Sequence, residues 1–80
     1  MQKLSTSQQM GRILTARRKA IGLTQAHVAA QLGISQNRLS EIENQSGHLT
    51  LDRLLALAGI LGLELTIQAR ENVAPTESEW

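Results

Sequence analysis

The stretch TQAHVAAQLGISQNRLSEIE, residues 24–43, decides how this chain folds. Thr24 and Ser35 are both favoured N-cap residue types, and each precedes a helix-compatible run, 25–32 and 36–43. Only Gly33 and Ile34 separate the two runs, and a glycine there can take the left-handed conformation that ends a helix. So short a break makes the second helix leave the first at a steep angle. Val28, Leu32, Ile34, Leu39 and Ile42 then meet inside the corner, and Ala29 keeps the crossing point small. The pattern is a helix-turn-helix, whose second helix commonly enters the DNA major groove.

Outward from this corner the chain divides simply. Residues 1–7 form a polar lead-in, and a first helix is expected over 8–20, capped either through the box spacing of Ser5 and Gln8 or after Ser7. Met10, Ile13, Leu14, Arg17 and Ile21 fall on its apolar face, with Arg17 lending its alkyl stem. After a polar loop over 44–49, Thr50 caps a helix over 51–61, with Asp52 in its first turn and Gly62 at its end. Leu54, Leu55, Leu57, Ala58 and Leu61 make that helix apolar around much of its girth, more than one small core needs. Residues 63–68, LELTIQ, then alternate apolar and polar as a half-buried strand does. A lone strand leaves its backbone ladder unpaired, so the economical solution is pairing with the same strand of a second copy. The expected dimer surface is therefore Leu63, Leu65 and Ile67 together with Leu57 and Leu61. Residues 70–80 carry three glutamates and Pro75 without apolar period, and read as a disordered acidic tail closing on Trp80, the single aromatic residue. Trp80 is expected to anchor a protein partner.

Eighty residues without Phe, Tyr or Cys make one small domain built on aliphatic side chains, without disulfide or thiolate chemistry. Such a domain is marginal alone, which favours an oligomer. No run approaches a membrane span and the N-terminus lacks a signal-peptide core, so the expected location is the bacterial cytoplasm, at the nucleoid when DNA-bound. The net charge of +1 conceals a division. Residues 1–40 carry Lys3, Arg12, Arg17, Arg18, Lys19 and Arg38 without an acid, +6, whereas 41–80 carry seven acids against Arg53 and Arg70, −5. A basic half bearing the helix-turn-helix suits phosphate contact.

These residues resemble a known family. Leu23-Thr24-Gln25, Gly33-Ile34-Ser35-Gln36 and Leu39-Ser40-Glu41-Ile42-Glu43-Asn44 are similar to the Xre/Cro phage-repressor helix-turn-helix. The resemblance implies an all-α, lambda-repressor-like domain of four to five helices over 8–62, followed by a short dimerisation strand over 63–69 that pairs across a dimer. The strand and the tail ending Glu79-Trp80 look like those of HipB-type antitoxins. That narrower resemblance implies a dimeric repressor of its own operon, bound to a palindromic operator, that neutralises a HipA-type serine/threonine kinase toxin. Within the recognition helix Gln36, Asn37, Ser40 and Glu41 face outward, and glutamine or asparagine can bind adenine bidentately. The resemblance supports base readout by Gln36, Asn37 and the Glu41 position, and gives Gln25 a role in buttressing the recognition helix.

Phosphate contacts are expected from Gln25 at a helix start, from Arg17, Arg18 and Lys19, and from Asn44 and Ser46 in the loop. Arg38 can take a phosphate or a guanine edge, with phosphate favoured by its helical direction. His27 and His48 lack metal-ligand spacing, the serines serve caps and loops, and the glycines form no phosphate loop, so catalysis, cofactors, metals and small-molecule ligands are not expected. Two readings compete with the antitoxin: a stand-alone regulator without a toxin, and a protein–protein adaptor that kept the fold without binding DNA.

Overall fold

The computed structural model describes residues 3–70. Four α-helices follow one another, α1 (Ser7–Ala20), α2 (Gln25–Leu32), α3 (Gln36–Asn44) and α4 (Leu51–Leu61), with a single 3₁₀ turn (Ser46–His48) between α3 and α4. Each α-helix begins at a threonine or serine in extended conformation whose hydroxyl accepts a backbone N–H three residues on: Thr6 from Gln9, Thr24 from His27, Ser35 from Arg38 and Thr50 from Arg53. The start of α1 corrects the sequence reading. Thr6, not Ser5 or Ser7, is the cap, and Gln9 completes the box by accepting the Thr6 and Ser5 amides through its side-chain oxygen at 3.1 and 2.6 Å.

The three helix ends repeat one device. Gly22, Gly33 and Gly62 have φ of 78°, 75° and 69°, which a side chain would strain. The amide one residue beyond each glycine reaches back to a carbonyl five residues earlier: Leu23 to Arg18 (3.0 Å), Ile34 to Ala29 (3.0 Å) and Leu63 to Ala58 (2.8 Å). The residue making that bond is apolar each time, and each packs on the core. One signal, glycine then an aliphatic residue, thus stops a helix and pins the outgoing chain to the interior.

The core gathers Met10, Leu14, Val28, Ala29, Leu39, Ile42, Leu57 and Leu61, with Leu23, Leu32, Ile34, Leu49, Leu54, Ile60 and Leu63 around it. All six residues expected inside the 24–43 corner are there. Two expectations fail. Along α1 the buried stripe is Met10, Gly11, Leu14 and Arg18, with Ile13 and Arg17 half-buried and Ile21 exposed; a charged residue is accepted inside where a partner meets it. In α4, Leu57 and Leu61 are each 1% exposed, consumed by their own subunit's core, and so do not form a dimer surface. Among the described residues the large apolar side chains left in solvent are Leu4 and Ile21 at the two ends of α1, Leu51 and Leu55 on α4, and Leu65 and Ile67 beyond it. Residues 63–70 carry no helix and pair with no other described segment of the chain. The tail beyond residue 70, including Trp80, lies outside the described residues. Among the described residues no helix is long and apolar enough to cross a membrane.

Gly11 lets α1 approach the end of α3. A Cβ there would overlap the Glu43 carbonyl oxygen and stand 3.1 Å from its carbon, both backbone atoms that cannot step aside. Gly59, inside α4, has nothing within 4 Å of such a Cβ. Gly11→Ala is therefore expected to destabilise the fold by about 1–3 kcal/mol. Gly59→Ala should instead stabilise it by up to about 1 kcal/mol through helix propensity alone. Urea denaturation of both variants at one protein concentration checks the opposite signs.

Candidate nucleic-acid interface

The recognition helix α3 is held from behind by an ion pair. Arg18 at the end of α1 donates Nε to Glu43 Oε2 at 2.7 Å and Nη2 to Oε1 at 3.1 Å, a fork on a carboxylate. Its Nη1 donates to the Leu23 carbonyl at 2.9 Å. Only 10% of the Arg18 side chain and 6% of that of Glu43 reach solvent. Gln25, first residue of α2, donates its side-chain amide to Glu43 Oε1 at 3.0 Å and accepts from the Gln36 amide at 3.5 Å. Four residues from three helices are thereby tied together. Among the described residues no buried side-chain nitrogen or oxygen lacks a partner, which is what makes a buried charge tolerable.

Burial pushes the Glu43 carboxyl up, but the hydrogen bonds from Arg18 and Gln25, the Arg18 charge and a contact to Thr15 outweigh it, so its pKa lies below its ordinary value of 4.5. On the far side, the Ser46 hydroxyl donates to the Ser7 carbonyl and closes the loop after α3 against the start of α1.

This anchoring leaves one face of α3 in solvent. Gln36, Asn37, Arg38 and Glu41 are exposed and Ser40 is half-buried, while Leu39 and Ile42 point into the core. Arg38 lies 3.6 Å from Glu41, an exposed pair one turn apart that contributes little stability but lowers the net charge of the helix face. The residues expected to read bases thus share one accessible surface.

The expected phosphate contacts divide. Gln25 sits behind Gln36 as a buttress, as the family resemblance implies. Lys19 and Asn44 are exposed. Arg18 is corrected: all of its donor groups face the protein, so it is a structural residue and not a phosphate contact. Ser46 is corrected likewise, being 7% exposed with its hydroxyl committed to Ser7. Arg17 turns toward the other end of the domain and donates to the Leu61 carbonyl at 2.8 Å, satisfying the end of α4. Arg53 does the same for the Leu32 carbonyl of α2 at 3.2 Å.

Glu43 was legible only as the end of a helix, yet it is the hub of the site. A signal did exist. Arg18 stands four residues beyond Leu14 and eight beyond Met10, in register with the buried stripe, so a hidden acid was owed to it. Among the described residues no three His, Asp or Glu side chains gather to hold a metal ion.

With this geometry in place the chain belongs to the helix-turn-helix family of Xre type, whose model matches residues 14–68. That is a DNA-binding family and not an enzyme family. The chain is similar to antitoxin HipB of Escherichia coli (strain K12), 28% identical over 78 residues, 98% of this chain and 89% of that protein. Solved structures agree. A chain of a HipA–HipB–O2–O3 complex superposes with a TM-score of 0.78 at 28% identity, over 86% of this chain and 97% of that one. A chain of a HipB–O4 20mer complex matches with the same score, identity and coverage.

Glu43 makes stability depend on acid. Its folded pKa is depressed, so its contribution is fully present above pH 4.5 and is lost as pH falls through the lower folded value. Melting temperatures of the native protein should therefore drop steeply below pH 4.5, and Glu43→Gln should be less stable at pH 7 but show a shallower acid limb. Parallel pH profiles for the two proteins would contradict this role.

Proposed function

We propose that this protein is a dimeric, sequence-specific DNA-binding repressor that serves as the antitoxin of a toxin–antitoxin pair. The observation that carries the proposal is the exposed face of α3, with Gln36 and Asn37 at its first turn, held from behind on a buried ion pair. Similarity to HipB, whose solved structures include complexes with O2, O3 and O4 and with HipA, supports the same reading. Gln36, Asn37 and Ser40 read base edges in the major groove, with Glu41 placed to accept from cytosine. Gln25, Lys19, Asn44 and Arg38 contact phosphates, Arg38 by releasing Glu41.

The dimer is formed by residues 63–69 pairing with the same segment of a second copy. Leu65 and Ile67, together with Leu51 and Leu55 of α4, offer the apolar surface that this pairing would cover. Two recognition helices related by a two-fold axis then require a palindromic operator with half-sites about 34 Å apart. The acidic segment 70–80, with Trp80 as anchor, engages a HipA-type kinase toxin. A toxin and an operator thus meet different parts of one small chain, and the protein works in the cytoplasm, on the nucleoid when bound to DNA.

On duplex from upstream of its own gene, Gln36→Ala or Asn37→Ala should cost about 1–3 kcal/mol and relax specificity at one base pair per half-site. Lys19→Ala should weaken all duplexes alike and lower the salt slope by about one. Fluorescence anisotropy over a salt series separates the two effects, and unchanged affinity in both recognition-helix variants would overturn the proposed interface. Removal of Glu79 and Trp80 should weaken capture of a HipA-type kinase, measured by calorimetry, while operator affinity stays at the native value. Equal kinase affinity would refute the anchor.

A further inference from the structure

We infer that Arg17 latches the root of the pairing segment to the domain, and thereby sets the half-site spacing that the two recognition helices accept. The inference rests on the reading of residues 63–69 as the segment that pairs two copies. In that reading the dimer surface joins Leu51 and Leu55 of α4 to Leu65 and Ile67, and the chain between them turns at Gly62. Gly62 has φ of 69°, and little crowds it. Among the described residues, its chain neighbours aside, only Arg17 Nη2 comes within 4 Å of where a Cβ would stand, at 3.2 Å. A glycine in open space is the joint at which a chain turns most freely.

Three hydrogen bonds hold this joint. Two are internal to the end of α4: the Gly62 amide donates to the Gly59 carbonyl at 3.3 Å, and the Leu63 amide to the Ala58 carbonyl at 2.8 Å. The third comes from α1, where Arg17 Nε donates to the Leu61 carbonyl at 2.8 Å. That oxygen belongs to the planar peptide unit between Leu61 and Gly62, so holding it holds the plane from which the segment departs. The next residue, Arg18, holds Glu43 at the end of α3. Adjacent residues of one hydrogen-bonded helix cannot move apart, so the last turn of α1 is a bracket between the root of the segment and the recognition helix. Arg17 is thus a positioning residue for DNA binding that touches no DNA. Half-sites one base pair nearer or farther lie about 3.4 Å away and are rotated by roughly a tenth of a turn. A latched joint cannot follow that change, whereas a joint free to turn at Gly62 can.

The test uses the full-length protein and the palindromic duplex it selects from a randomised pool, with one base pair inserted or removed between the half-sites. Fluorescence anisotropy on the three duplexes gives a spacing ratio. For the native protein either change should weaken binding by about 10-fold or more. Arg17→Met keeps the alkyl stem and loses the donor, so its ratio should fall severalfold while its affinity for a duplex with a single half-site stays native. Arg17→Lys, still able to donate to the Leu61 carbonyl, should restore much of the ratio. Arg17→Gln, neutral and shorter, carries the same test if Arg17→Met does not fold. A role confined to stability would lower the melting temperature, weaken all three duplexes alike and leave the ratio as it was. An unchanged ratio in Arg17→Met therefore overturns the inference and leaves the dimeric repressor standing. A native protein that binds all three spacings equally, or that sediments as a monomer, overturns the pairing of residues 63–69 as well.

Discussion

The Arg18–Glu43 ion pair is the interaction on which the rest of this domain depends. It joins the end of α1 to the end of α3, residues 25 apart in sequence, with both side chains largely shielded from solvent. Two charges inside an aliphatic core cost more than they return unless their hydrogen-bonding capacity is fully used. Here Arg18 fills its three directions with Glu43 and the Leu23 carbonyl, and Glu43 adds Gln25. Gly11 is the steric condition for this arrangement, since any side chain there would push α1 off the Glu43 backbone and open the pair. A missing Cβ on α1 thus sets the position of α3, and α3 is the element that presents Gln36 and Asn37.

The same economy governs the helix ends. Glycine followed by an aliphatic residue closes α1, α2 and α4, and two arginines finish the work by donating to the last carbonyls of α4 and α2. This use of arginine changes the electrostatic picture drawn from composition. Arg17, Arg18 and Arg53 are turned to the protein's own acceptors, and of the first half's cations Arg18 is neutralised outright by the Glu43 carboxylate.

Elements that depend on neighbours along the chain were readable in advance. The caps at Thr24, Ser35 and Thr50, the stops at Gly22, Gly33 and Gly62, and the apolar corner from Val28 to Ile42 follow from hydrogen bonds and periodicities spanning at most five residues. The error at the start of α1 belongs to the same class, since Ser5, Thr6 and Ser7 are all capable caps and only the reach of Gln9 separates them. The exposed row on α3 followed from its helical phase once Leu39 and Ile42 were assigned to the core.

By itself, then, the amino-acid sequence determined the helices, their order, the sharp corner and the identity of the residues on the outer face of α3, because each is written in short-range chemistry. Only the tertiary structure decided the fate of the charged and apolar residues that have a choice. Arg18 and Ser46 go inside instead of meeting phosphate, and Leu57 and Leu61 fill their own core, leaving Leu51 and Leu55 in solvent. The physical reason is the same in each case. Burial of a side chain is settled by what another helix brings to it: the periodicity of α1 puts Arg18 in the buried register, but its partner Glu43 lies on a different element and is not recorded there.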